Sequence, residues 1–225
     1  MNQDETSRST SHPRPVRKRN PDESKKRILD SAERAFALRG FDGARLRDIA
    51  QDAGVHHALV HHYFTDKRGL FEEVLLRGMS LLADLQTFRL SPGRPLRENL
   101  QRVVDPLYDF FADNRNLLRV IEGGLRDKDS VPFEVAANIL GNVGKPLVEQ
   151  LATEIEGARQ RSEMRADMPV TTIMRYGLSV IMSPFIVGSG LSNALGLPRA
   201  SQIERDEAKR QIVELLAGAL ANVPS

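Results

Sequence analysis

The sequence predicts an all-α protein, a three-helix N-terminal unit followed by a longer helical bundle. Three observations carry this. Apolar residues recur at i, i+3 and i+4 through almost every segment, the period of one helix face. Two short apolar sets, Leu46 to Ala53 and Leu59 to Phe64, are separated by Gly54 and a few other residues, the pattern of a helix-turn-helix. No segment reads as a convincing strand, and no repeat of roughly 20–50 residues is visible.

Taken in order, residues 1–20 are rich in Ser, Thr, Pro and Arg and lack apolar periodicity, so they read as a disordered arm. Arg14, Arg17, Lys18 and Arg19 cluster near its end. They fit either a basic arm that touches phosphates or the minor groove, or a solubilising tail. Pro21-Asp22-Glu23 is a helix start, with acidic side chains at the positive end of the dipole. Ile28, Leu29, Ala32, Ala35, Phe36 and Leu38 continue this helix until Arg39-Gly40 stops it.

The second helix has Leu46, Ile49, Ala50 and Ala53 on one face. Gly54 ends it, since glycine accepts the left-handed conformation of helix C-termini. Val55 is an apolar plug, and Leu59, Val60, Tyr63 and Phe64 form the inner face of a third helix. Its outer face holds His56, His57, His61 and His62, four of the five histidines in the chain. Imidazole both donates and accepts, so it suits base edges or phosphates.

Asp66 is placed as an N-cap for a long helix running through Leu70, Phe71, Val74, Leu75, Leu81, Leu82 and Leu85 to about Phe88. Ser91-Pro92-Gly93-Arg94-Pro95 breaks the chain. Helices are then expected near 96–112, 115–125, 131–160, 170–191 and 199–221, with Pro106, Pro146 and Pro184 kinking or breaking them. The domains so defined are the arm (1–20), a helix-turn-helix domain (21–68) and a helical domain (69–225).

Composition narrows the function. The 225 residues include no Cys and no Trp, and the net charge is +2. There is thus no disulfide framework, thiolate metal site or cysteine nucleophile. No run of about 18 apolar residues exists, and the N-terminus lacks a signal-peptide core, so a cytoplasmic protein with no membrane partner is expected. Residues 1–68 hold fourteen Lys and Arg against ten Asp and Glu, whereas 69–225 hold eighteen against twenty. Positive charge gathers where DNA phosphates would attract it. No histidine follows residue 62 and no catalytic or phosphate-loop signature is present, so the sequence predicts no enzyme and no cofactor.

Gly40-Phe41, Arg47-Asp48-Ile49-Ala50, Ala53-Gly54-Val55, Tyr63-Phe64 and Lys67 before Leu70-Phe71 together span about 35 residues. This pattern resembles the DNA-binding region of TetR-type transcriptional regulators. The resemblance implies a homodimeric repressor, released from an inverted-repeat operator in double-stranded DNA by a small-molecule effector. It places ligand binding and dimerisation in the C-terminal bundle. It marks Arg45, Arg47, His56, His57, Ala58, His61, His62, Tyr63 and Lys67 as DNA contacts, with His57 and His61 nearest the bases and Lys67 on a phosphate. The chain departs from the family at Ala44 and Arg45, where Thr or Ser is usual, and at His56-His57 and His61, where Ser-Lys and Tyr are common.

In the C-terminal region, Phe88, Tyr108, Phe111, Phe133, Tyr176 and Phe185, with Arg119 and Glu122, are the candidates for lining an effector pocket; at helical spacing aromatics are more often core residues. The last two helices carry many apolar and small residues, and the first of them is apolar around more than one face, more than a lone surface helix needs and as a dimer interface would bury. Two rival readings stay open. One is a DNA-binding protein whose C-terminal domain serves only dimerisation or a protein partner. The other is a metal or pH sensor using His57 and His61, which stand four apart on one helix face.

Overall fold

The computed structural model describes residues 21–83, 90–186, 194–196 and 204–221. Its named elements are helices: α1 (Pro21–Gly43), α2 (Leu46–Asp52), α3 (His57–Tyr63), α4 (Lys67–Ala83), α5 (Leu96–Asp113), α6 (Arg115–Gly124), α7 (Val131–Ile139), α8 (Lys145–Gln160), α9 (Val170–Ile186) and α10 (Arg205–Leu220). The basic arm and Phe88 lie outside the described residues.

α1 buries Ile28, Leu29, Ala32, Ala35 and Phe36 along one face. Leu38 falls off that face and is 75% exposed, contrary to the periodicity that included it. At Gly40 the backbone turns left-handed, with φ 68, so the regular helix ends there. The turn delivers Phe41 to Phe71 of α4, edge-on at 5.2 Å, and Phe71 meets Phe36 at 5.1 Å. These three rings join α1, its turn and α4. Asp66 caps α4 as expected, its Oδ1 accepting from the Gly69 amide at 2.8 Å.

α6 lies across α1 and α4. A Cβ at Gly78 would sit 2.3 Å from Leu117 Cδ2, so only glycine lets α6 approach this closely. Arg77 of α4 bonds Asp30 at 2.6 Å and Glu33 at 2.7 Å, both on α1. Arg68 reaches α7 through a two-pronged bond to Glu134, at 2.8 and 3.2 Å; this bond holds the Glu134 carboxyl below its ordinary pKa.

The Ser91–Pro95 break is held by Asn99, which is buried. Its Oδ1 accepts from the Ser91 amide and its Nδ2 donates to the Ser91 carbonyl. α5 packs on α10, where Lys209 pairs with Asp109 at 2.7 Å and Arg205 with Asp113 at 2.6 Å. Asp105, on the same side, has its pKa raised by burial.

The prolines behave in two ways. Pro106 and Pro184 sit inside α5 and α9, which continue through them. In α5 the lost hydrogen bond costs about 3 kcal/mol, and burial of Val103, Val104, Leu107, Tyr108, Phe110 and Phe111 offsets it. Pro146 accompanies a distortion without a stop. The chain stays helical over the expected 131–160, passing from α7 through one wide π-type turn at Leu140–Gly144 directly into α8, the kind of bulge that departs from the i→i−4 ladder just before Pro146.

Between α8 and α9, Met164 is buried. The Arg165 amide and guanidinium donate to the carbonyls of Leu220 and Ala219, at 2.9 and 3.2 Å. They occupy acceptors that the last turn of α10 would otherwise leave open.

Candidate nucleic-acid interface

α2 and α3 form the helix-turn-helix, and their packing decides which side chains face out. Ile49, Ala50, Ala53, Val60 and Phe64 are buried; Leu46, Val55 and Tyr63 pack against them, half-buried. The turn closes with the Gly54 amide donating to Gln51 O at 3.1 Å and the Val55 amide to Ala50 O at 3.0 Å. This paired C-terminal cap requires a left-handed residue at Gly54, whose φ is 63. From α1, the Ser31 hydroxyl shares its proton between the Ile49 carbonyl at 3.0 Å and Asp52 Oδ2 at 2.7 Å. Arg34 donates to the same carboxylate oxygen at 2.6 Å. Asp52 is therefore held below its ordinary pKa, first by Arg34 and then by Ser31.

With that face buried, His56, His57, Ala58, His61 and His62 are exposed together. Their roles differ. His56 is the N-cap of α3, its Nδ1 accepting from the Ala58 amide at 3.3 Å. His61 Nδ1 lies 3.3 Å from the Thr65 carbonyl. The His57 and His61 rings meet edge-on with centroids 4.7 Å apart, and His62 lies against Tyr63 at 5.3 Å. Among the described residues, no three His, Cys, Asp or Glu side chains gather as a metal site.

The other expected contacts flank this face. Arg45 and Arg47 are exposed. Arg45 occupies the N-cap position of α2 without a side-chain cap bond, so no hydroxyl or carboxylate replaces the Thr or Ser common in the resembled family. Ala44 is buried; of the two departures, only position 45 faces solvent. Tyr63 turns inward, its hydroxyl donating to the Pro21 carbonyl at 3.1 Å. Lys67 donates to the Asp42 carbonyl at 3.1 Å and lies 4.6 Å over the Phe41 ring. Desolvation there lowers its pKa, and two of its three N–H donors stay available for a phosphate.

The candidate effector residues converge only in part. Tyr108 and Phe185 meet at 4.9 Å and Phe111 lies 6.3 Å from Phe185; burial raises the Tyr108 pKa. Arg119 and Glu122 are exposed on α6, Phe133 is half-buried on α7, and Tyr176 is 63% exposed on α9. A cleft of about 410 Å³ lies elsewhere, between α1 and α4, lined by Lys25, Lys26, Leu29, Glu73, Leu76 and Arg77 among others. Two features had no sequence signal: Ser31 and Arg34 lie about 20 residues from Asp52, and Arg68 lies 66 from Glu134.

Residues 28–74, which include α2, α3 and Lys67, match the family described as bacterial regulatory proteins, tetR family. This stretch is a TetR-family DNA-binding region. The "probable HTH-type transcriptional regulator" YttP of Bacillus subtilis is 26% identical over 76% of this chain and 82% of its own. The HTH-type transcriptional repressor AcnR of Corynebacterium glutamicum is 23% identical over 83% of this chain and 96% of its own. Among solved structures, the TetR-family regulator PfmR of Thermus thermophilus superposes with a TM-score of 0.64 at 19% identity, covering 84% of this chain and 96% of that one. The all-α TetR architecture therefore extends beyond the helix-turn-helix. No helix among the described residues is long and apolar enough to cross a membrane.

Proposed function

We propose that this protein is a homodimeric TetR-type repressor that reads an inverted-repeat operator with α3 of each protomer and releases it on binding a small molecule. The observation that carries the reading is the exposed face of α3, where His56, His57, Ala58, His61 and His62 stand clear of the buried Val60 and Phe64. A helix this short reads few base pairs, and two-fold pairing doubles the site. Arg45, Arg47 and Lys67 supply the flanking phosphate contacts.

Dimerisation is supported by what α9 and α10 leave uncovered. Tyr176, Leu178 and Leu215 are 63%, 42% and 60% exposed. Gly177 and Gly218 have open space where a Cβ would stand, so a second copy can approach closely. The effector reading rests on the Tyr108, Phe111 and Phe185 group between α5 and α9. A ligand that displaced Phe185 would act on a bundle whose α6 is locked to α1 and α4, and so would favour one spacing of the recognition helices over another.

Enrichment of fragmented host DNA on the purified protein, at low and physiological salt, tests this. A shared inverted repeat that survives physiological salt is expected. Enrichment without a common site, lost as salt rises, would leave phosphate attraction alone and sink the proposal. Leu215→Glu should yield a monomer by light scattering and lose the repeat.

A further inference from the structure

The residues of α3 available to read bases are few. His57–Tyr63 contains no Lys, Arg, Asp, Glu, Asn, Gln, Ser or Thr, and the Tyr63 hydroxyl is committed to the Pro21 carbonyl. Hydrogen-bond readout by this helix falls to imidazole. A neutral imidazole has one donor and one acceptor nitrogen, and whichever the protein engages determines what the other offers.

His56 and His61 are engaged in opposite senses. At His56, Nδ1 accepts from the Ala58 amide. That nitrogen carries no proton, so the neutral ring holds its proton on Nε2 and presents a donor. At His61, Nδ1 faces the Thr65 carbonyl at 3.3 Å. A carbonyl only accepts, so Nδ1 carries the proton and the neutral ring presents Nε2 as a bare acceptor.

We infer that His61 is a specificity-determining residue whose Nε2 accepts a hydrogen bond from the exocyclic amino group of adenine or cytosine in the major groove. This rests on the operator reading above. Those amino groups are the only hydrogen-bond donors on the major-groove edge. Guanine N7 and O6 and thymine O4 are acceptors, and each would face the lone pair of His61. His61 thus selects against the guanine contact that Arg or Lys makes at such a position.

The test is selection of random-sequence duplexes on the full-length protein at pH 8.5, where free imidazole is neutral, in physiological salt. One position per half-site should carry adenine or cytosine, and which of the two it is identifies the amino group. His61→Ala should flatten preference at that position alone. His61→Arg, a pure donor, should move it to guanine. Replacing the selected adenine by hypoxanthine, or cytosine by uracil, exchanges the amino donor for a carbonyl acceptor. That exchange should weaken wild-type binding roughly tenfold and leave His61→Ala unchanged.

If a shared site emerges but His61→Ala alters no position, or the deaminated duplex binds as tightly, the inference falls while the operator reading stands. If no shared site emerges, both fall. His61→Phe, which keeps a planar ring without its nitrogens, with the same helicity and melting curve as wild type, guards against a folding artefact; a flattened position in that variant as well supports base contact by the imidazole nitrogen.

Discussion

The N-terminal unit and the C-terminal bundle close their surfaces differently. Both are tied by polar side chains from separate helices: Ser31 and Arg34 on Asp52 and Tyr63 on the Pro21 carbonyl in the first, Lys209 on Asp109 and Arg205 on Asp113 in the second. They differ in what is left outside, which in the first is a polar, histidine-bearing face. In the second, α9 and α10 leave Tyr176, Leu178 and Leu215 in solvent. One region is a finished unit that displays a chemical surface. The other keeps an apolar face that a second copy would cover, as proposed.

The largest test of this contrast is Phe71→Ala. Phe71 is 1% exposed and joins rings from α1 and its turn, so its loss should cost about 3–5 kcal/mol in denaturant unfolding. Phe185→Ala should cost clearly less, because that ring is only half-buried. Equal losses would erase the distinction. Next is Gly78→Ala. The new methyl collides with the buried Leu117, and overpacking should cost about 1–3 kcal/mol, read as a lower Tm. A Tm rise, as Ala normally gives in a helix, would mean that α6 does not press on α4 here.

Ser31→Ala removes a buried hydroxyl that serves two acceptors and should cost about 1–2 kcal/mol, with DNA affinity falling as α2 loosens. The smallest effect is at Asp52. Its native pKa is depressed, so its stabilisation is present above the ordinary carboxylate value of about 3.9 and is lost as pH falls through the native value. The pair with Arg34 is more than half exposed on the Asp52 side, so Asp52→Asn should cost only about 0.5 kcal/mol at pH 7. A urea titration of both proteins at pH 7 and pH 3 should show the difference shrinking at the lower pH.

The helix-turn-helix was legible because its determinants are local. A left-handed Gly54, an apolar face on each side and an N-cap at Asp66 act within a turn or two of themselves, so spacing alone marks them. The C-terminal helices were legible in number but not in detail. Pro106 and Pro184 lie in regular α-helices, while the expected 131–160 helix carries a wide π-type turn at Leu140–Gly144 just before Pro146. Proline's effect depends on whether neighbouring packing offsets its lost bond, and a single chain segment does not reveal its neighbours.

By itself the sequence determined the helical class, the position of the turn and which histidines would be exposed, because periodicity and backbone preference are properties of adjacent residues. Only the tertiary structure decided what those histidines offer. His56, at the N-cap of α3, and His61, within it, are the same residue type five positions apart, yet one accepts from the Ala58 amide and the other faces the Thr65 carbonyl. The same holds for Lys67, engaged with the Asp42 carbonyl, and for Gly78, where Leu117 fills the space of a side chain. In each case the partner, not the residue, sets the chemistry, and the partner is chosen by how the helices pack.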